Sequence, residues 1–247
     1  MAKHGGTRHL KRLSAPAAIP VARKEMVWLK KTRPGPHARK ASATLSYFVR
    51  DALKLAENFR EAKRLIKNGE VVVDGVQARD EKRPVGLMDV LSFPKIKTAY
   101  RILLVGQRLF PVAIPFEQSS WKYCKIKAKR IAKKGKVQLV FHDGRSILVD
   151  REKSSDFKPG DSVKLSVPKQ SIKAVLKREK GALCYIPFGK HSGEVARLVE
   201  ILERKGSESN NALLKAGGKE LITLQDYLFV VDEDFNLKSS GEVKEKH

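Results

Sequence analysis

One stretch constrains the fold of this chain more than any other: Arg60-Glu61-Ala62-Lys63-Arg64-Leu65-Ile66-Lys67-Asn68-Gly69-Glu70-Val71-Val72-Val73-Asp74-Gly75. Ala62, Leu65 and Ile66 recur at helical spacing, so one face packs while Arg60, Lys63, Arg64 and Lys67 point outward. Asn68-Gly69 stops the helix, because glycine takes the left-handed cap conformation at little cost. The β-branched Val71 to Val73 then start a strand that turns at Asp74-Gly75. A basic helix hinged to a short strand is expected.

The flanks extend this into a compact α-β unit over residues 42–106. Ser42 is expected to cap a first helix whose apolar face is Leu45, Phe48, Val49, Ala52, Leu53 and Leu55, with Arg50 and Lys54 on its outer side. The second helix, about Phe59 to Lys67, follows a turn at Asn58. Val76, a break at Pro84 and the run Val85 to Phe93 supply further strands, and Val105-Gly106 is expected to end the unit.

A basic helix face alone is usually a solvated surface. Whole-chain charge argues for more: 51 Lys and Arg stand against 27 Asp and Glu, a formal charge of +24. An excess this large repels itself unless a polyanion neutralises it, which points to nucleic acid. The 247 residues allow one large domain or two or three small ones. With 41% hydrophobic, 7% aromatic and 32% charged residues, small cores with much surface are favoured.

Residues 1–41 carry eleven Lys and Arg and one acid, Glu25. Gly5-Gly6, Pro16, Pro20 and Arg33-Pro34-Gly35-Pro36-His37 forbid a continuous helix, so an extended arm is expected, disordered when free and ordered by a bound polyanion. Residues 107–171 change character to short alternating segments. Lys122 to Lys136 carries eight Lys and Arg and no acid, and Cys124, Ile126 and Ala128 alternate with Lys125, Lys127 and Lys129. This reads as a strand with a lysine face, although Ala128, Ile131 and Ala132 also permit a helix. Val137 to Phe141, His142-Asp143-Gly144 and Ser146 to Val149 form a hairpin, and Lys158-Pro159-Gly160-Asp161 turns into another strand. Residues 172–235 continue with five short strands and glycine turns, read as a small barrel, and 236–247 as a polar tail.

Cys124 and Cys184 lie sixty residues apart and belong to no close ligand pair, so reduced, partly buried thiols are expected rather than a metal site. The absence of a disulfide framework fits a reducing compartment. No stretch reaches eighteen apolar residues, so no membrane span is expected. The run Ala15 to Ala22 is too short and proline-broken for a signal segment.

The Arg60, Ala62, Leu65-Ile66, Gly69, Val71, Val73, Gly75 pattern resembles the RNA-binding module named for bacterial ribosomal protein S-four. That module also occurs in pseudouridine synthases, tyrosyl-tRNA synthetases and small stress proteins. Gly189, Gly193, Val195 and the basic turn between them resemble a KOW motif. With the arm signatures His9-Leu10-Lys11-Arg12-Leu13-Ser14-Ala15-Pro16 and Arg33-Pro34-Gly35-Pro36-His37 placed first, residues 3 to 235 resemble the archaeal and eukaryotic ribosomal protein family S-four-e.

That resemblance implies a structural protein of the small ribosomal subunit that binds and stabilises folded small-subunit ribosomal RNA, beside neighbouring ribosomal proteins, in the cytoplasm. It implies no cofactor, no metal and no small-molecule substrate. The RNA contacts it implies are Lys3, Arg8, Lys11, Arg12, Arg33, His37, Arg39 and Lys40 in the arm, and Arg50, Lys54, Arg60, Lys63, Arg64 and Lys67 in the helix pair. Further along they are Lys125, Lys127, Lys129 and Arg130 in the central domain, with Lys190 and His191 in the KOW turn. Asp74, where the module often has Asn, is not counted, since an acid repels phosphate.

Two other classes compete. A modifying enzyme of the pseudouridine synthase type needs an Arg-Leu-Asp context, which Asp143-Gly144-Arg145-Ser146 does not match; no Walker loop, zinc pair or nucleophile elbow is present either. A KOW-containing transcription factor has no need of an arm this basic, whereas flexible Lys and Arg suit closely packed RNA phosphates.

Overall fold

A computed structural model of the protein describes residues 7, 9–132, 135–206 and 208–235. Lys3, Arg8 and the 236–247 tail lie outside the described residues. The fold is mixed α+β, with few helices and many strands, as expected. Three five-stranded antiparallel sheets follow one another along the chain.

In the first unit the Phe59–Lys67 helix starts after Asn58, and Glu61 accepts from the Glu57 amide at 3.0 Å. Ala62 and Ile66 are fully buried, so the helical spacing sets which face packs. Asp74 (φ 51°) and Gly75 (φ 72°) are both left-handed, the geometry that closes a two-residue hairpin between Val72–Val73 and Val76–Gln77. A side chain at 75 would also strike the next module: its Cβ would lie 2.9 Å from Pro168 N.

The first helix departs from expectation. Ser42 pairs with Gly86 in a short strand, and Thr44 caps instead, accepting from the Tyr47 amide at 3.3 Å. An α-turn over Leu45–Tyr47 widens into π-type turns over Phe48–Ala52. Lys54 is therefore not on the helix at all; it follows the end in a left-handed conformation, φ 52°.

Strand pairing moves both expected boundaries. Thr98–Val105 pairs with Arg108–Ile114 around Gly106-Gln107, and Leu109 and Val112 join the first unit's core. Gly106 is thus a hairpin turn, not an end. Pro111 and its missing N–H are tolerated because Arg108–Ile114 is the edge strand. Likewise Ile172–Leu176 pairs with Ser162–Ser166 and belongs to the central sheet, not the C-terminal unit.

The central sheet is built on Trp121–Ile131, which pairs with Ser162–Ser166 along its first half and with Val137–Phe141 along its second. Val137–Phe141 continues into the expected hairpin with Ser146–Val149. Cys124, Ile126, Leu139, Phe141, Val163 and Leu165 form its core. The C-terminal unit has five strands in the order 219–224, 211–216, 195–202, 183–185, 229–230, over a core that includes Cys184, Ile186, Leu198 and Leu214.

The arm is not a free extended tail. Leu10, Ala15, Ala18, Ile19 and Leu29 are buried in the first unit's core, and Leu10–Lys11 pairs with Trp28–Leu29. The Leu109 amide donates to Ala18 O at 2.8 Å, and Tyr47 Oη donates to Pro20 O at 3.2 Å. Few apolar residues suffice because they dock on an existing core instead of building one. Hydrogen exchange in the free protein should be slow at the Arg12 and Leu109 amides, which donate to Val27 and Ala18. Arg12→Ala should speed both by about tenfold or more, because it removes charged hydrogen bonds. Random-coil exchange rates in the unaltered protein would show the arm to be free.

Candidate nucleic-acid interface

The Phe59–Lys67 helix fixes its own polarity. With Ala62 and Ile66 inward, Arg60, Arg64 and Lys67 are exposed and Lys63 is half-exposed. Arg64 and Lys67 sit in the last turn, where cations also favour the helix dipole. None of the four forms an ion pair among the described residues, so their charge is available to phosphates.

Other expected contacts divide by environment. Lys11, Arg39 and Lys40 are exposed; Arg33 is 62% exposed but bonds Asp80 at 2.9 Å. Arg12 is a correction: it is 3% exposed, donates to Ala22 O at 2.9 Å and lies 3.5 Å from both Glu25 and Asp51. It is an internal pin for the arm. His37 is also turned inward, its Nε2 2.9 Å from Asp89 Oδ2. Arg50 is neutralised by a two-pronged pair with Asp51 at 2.9 Å.

On the lysine strand, Lys127 and Arg130 are exposed and form no ion pair among the described residues. Lys125 is half-buried and donates to Asp226 O at 2.6 Å, while Lys129 donates to Ser154 O and to Phe157 O at 3.5 Å. In the 189–193 turn Lys190 is exposed, but His191 is half-buried, 3.7 Å from Glu194. The rest of that turn docks inside the molecule. Gly106 N donates to Ser192 O at 3.3 Å, and Gln107 N to Ser192 Oγ at 3.2 Å. Gly193 (φ 95°) lies against Val105, where a Cβ would come within 2.9 Å. Tyr185 Oη both donates to Leu104 O and accepts from Leu104 N, tying the C-terminal unit to the first.

Sequence reasoning missed what holds these surfaces in register. Lys122, 1% exposed, donates to Asp74 (2.8 Å) and Asp89 (2.6 Å) and pairs with Asp143 at 2.9 Å. Arg145 bonds Asp74 at 2.7 Å and Asp143 at 3.1 Å. Gly86 N and Val90 N donate to Asp89 and Asp74. Burial alone would raise the Asp89 carboxyl, but Lys122 and His37 outweigh it and hold it far below the carboxylate range. The cluster joins arm, first unit and central sheet. One signal was present: Lys122 falls in phase with Cys124 and Ile126 on the buried side of its strand.

Cys124, His142 and Asp143 offer donor atoms within 4.8 Å of one another. They do not fit a metal. His142 Nδ1 accepts from Lys125 N at 3.2 Å, which leaves Nε2–H to donate to Leu87 O at 3.3 Å. Burial pushes the Cys124 thiol well up, keeping it protonated, and Asp143 is held by Lys122 and Arg145.

Comparison with known proteins identifies the family. Family models match in sequence: the RS4NT (NUC023) domain at residues 4–40, the S4 domain at 45–91 and ribosomal family S4e at 96–172. Small ribosomal subunit protein eS4 of Methanothermobacter thermautotrophicus is 42% identical over 236 residues, covering 95% of this chain and 96% of that protein. The chain belongs to ribosomal family S4e. Its S4e relative in Methanocaldococcus jannaschii, also named small ribosomal subunit protein eS4, is 43% identical over 240 residues, 95% of this chain and 98% of that one. A crystal structure of 30S ribosomal protein S4e from Thermoplasma acidophilum, 33% identical, superposes with a TM-score of 0.66 and covers 77% of this chain and 95% of that one.

Proposed function

We propose that this S4e chain is a structural constituent of the small ribosomal subunit that binds and stabilises folded small-subunit ribosomal RNA, and so supports translation in the cytoplasm. The observation that carries the reading is the Phe59–Lys67 helix, which presents four cations without an ion pair among the described residues from a docked module in a chain of net charge +24. Lys11, Arg39, Lys40, Lys127, Arg130 and Lys190 extend the contact, and Arg33 joins by exchanging Asp80 for phosphate. Arg12, His37 and Arg50 act inside the protein, holding the arm and first unit in place. Exposed Leu13, Met26, Val27 and Trp28 on the arm offer an apolar surface to a neighbouring ribosomal protein.

Sedimentation tests the assignment. Tagged chain should travel with small-subunit particles through a sucrose gradient and stay with them after a moderate salt wash. Recovery only at the top of the gradient, or on polymerase fractions, would contradict it.

A further inference from the structure

Where the arm and the three modules meet, a cavity of about 680 Å³ opens, within the size range of small-ligand sites. Phe188, 38% exposed, and Tyr227 line it beside the buried Phe229, the Phe188 and Tyr227 centroids 5.8 Å apart and their planes inclined by 57°. The Tyr227 ring fits because residue 189 is glycine; a Cβ there would lie 3.3 Å from it.

Lys125, Lys127 and Arg178 line the same cavity. Among the described residues Lys125 donates to the backbone oxygen of Asp226, whose carboxylate also lines the cavity and accepts from the Ser209 hydroxyl. With its amide oxygen turned toward the guanidinium, Gln225 accepts from Arg178 Nη1 at 3.0 Å, a neutral partner. Neither Lys125 nor Arg178 forms an ion pair among the described residues. Burial, reinforced by Arg178 and only partly offset by the Asp226 carboxylate, pushes the Lys125 amine down to about 8. Two cations crowded in a half-dry pocket are relieved by an anion between them, and an exposed ring beside them offers a face to a flat group.

We propose that this cavity receives one unpaired nucleotide of RNA, its phosphate among Lys125, Lys127 and Arg178 and its base against Phe188 and Tyr227. The proposal rests on the RNA reading above and goes beyond it. The helix face meets phosphates whatever the base, whereas this site requires a nucleotide free of its helical stack. It exists only in the assembled chain, since its walls come from the arm, the first unit, the central sheet and the C-terminal unit.

Adenosine 5′-monophosphate, adenosine and inorganic phosphate, titrated separately into the full chain with isotope-labelled Phe rings observed by NMR, test it. The monophosphate should saturate, shift the Phe188 signals and bind about tenfold more tightly than either adenosine or phosphate. Phe188→Leu should weaken the monophosphate about tenfold and leave phosphate unchanged. Arg178→Gln should weaken both, and Lys127→Gln, at an exposed position, repeats that arm if Arg178→Gln perturbs the fold. Monophosphate binding no tighter than phosphate, no saturation below about 10 mM, or indifference to Phe188→Leu would overturn the proposal. Binding of folded small-subunit ribosomal RNA by the same samples separates the failures. If RNA still binds, only the nucleotide pocket falls; if it does not, the RNA reading falls with it.

Discussion

Replacing Lys122 by methionine should destabilise the protein by about 3–5 kcal/mol and lower its urea midpoint by more than about 1 M. The ammonium satisfies three carboxylates that have little access to water, so its loss leaves buried negative charge with only Arg145 and His37 to offset it. Lys127→Met, on the same strand but exposed, should stay within about 0.5 kcal/mol of the original. Acid should act on the same cluster. Asp89 and Asp143 are held below their unfolded pKa by Lys122, so their contribution is complete above about pH 4 and declines as pH falls further, when the unfolded chain takes up protons first. Lys122→Met should flatten that decline. An unchanged midpoint and acid profile in the variant would show that the arm, first unit and central sheet do not depend on this cluster.

Converting Arg60, Lys63, Arg64 and Lys67 to Gln together should weaken binding to folded small-subunit ribosomal RNA by on the order of 10²–10³ at physiological salt. Four lost phosphate contacts should reduce the slope of log K against log salt by about 3, at roughly 0.7–0.9 per contact. Stability should barely change, because the inward Ala62 and Ile66 are untouched. Arg12→Ala should do the reverse, loosening the arm without removing a phosphate contact. If the fourfold variant folds and keeps both affinity and slope, this helix is not the contact.

The segments read most accurately from sequence are those whose structure is decided locally. Helical spacing in 59–67, the Asp74-Gly75 turn and the 137–149 hairpin each depend on neighbours a few residues away. Docking was not legible in the same way. Arg12 and Lys11 are adjacent and chemically similar, yet one is buried and the other exposed, because the core that receives the arm is supplied by residues such as Phe48 and Leu109 far along the chain. The same limit hid Lys122, whose three carboxylates come from positions 74, 89 and 143. Gly106 misled for a different reason: glycine marks hairpin turns as well as the ends of units.

A preformed, docked surface should recognise folded RNA by shape and phosphate placement. Competition on the full chain between a folded small-subunit ribosomal RNA fragment and a single-stranded RNA of equal length, at matched salt, measures it directly. The folded fragment should displace the single strand at well below equimolar concentration, and its advantage should persist as salt rises. Equal competition, or an advantage that vanishes with added salt, would mean that the chain binds any polyanion.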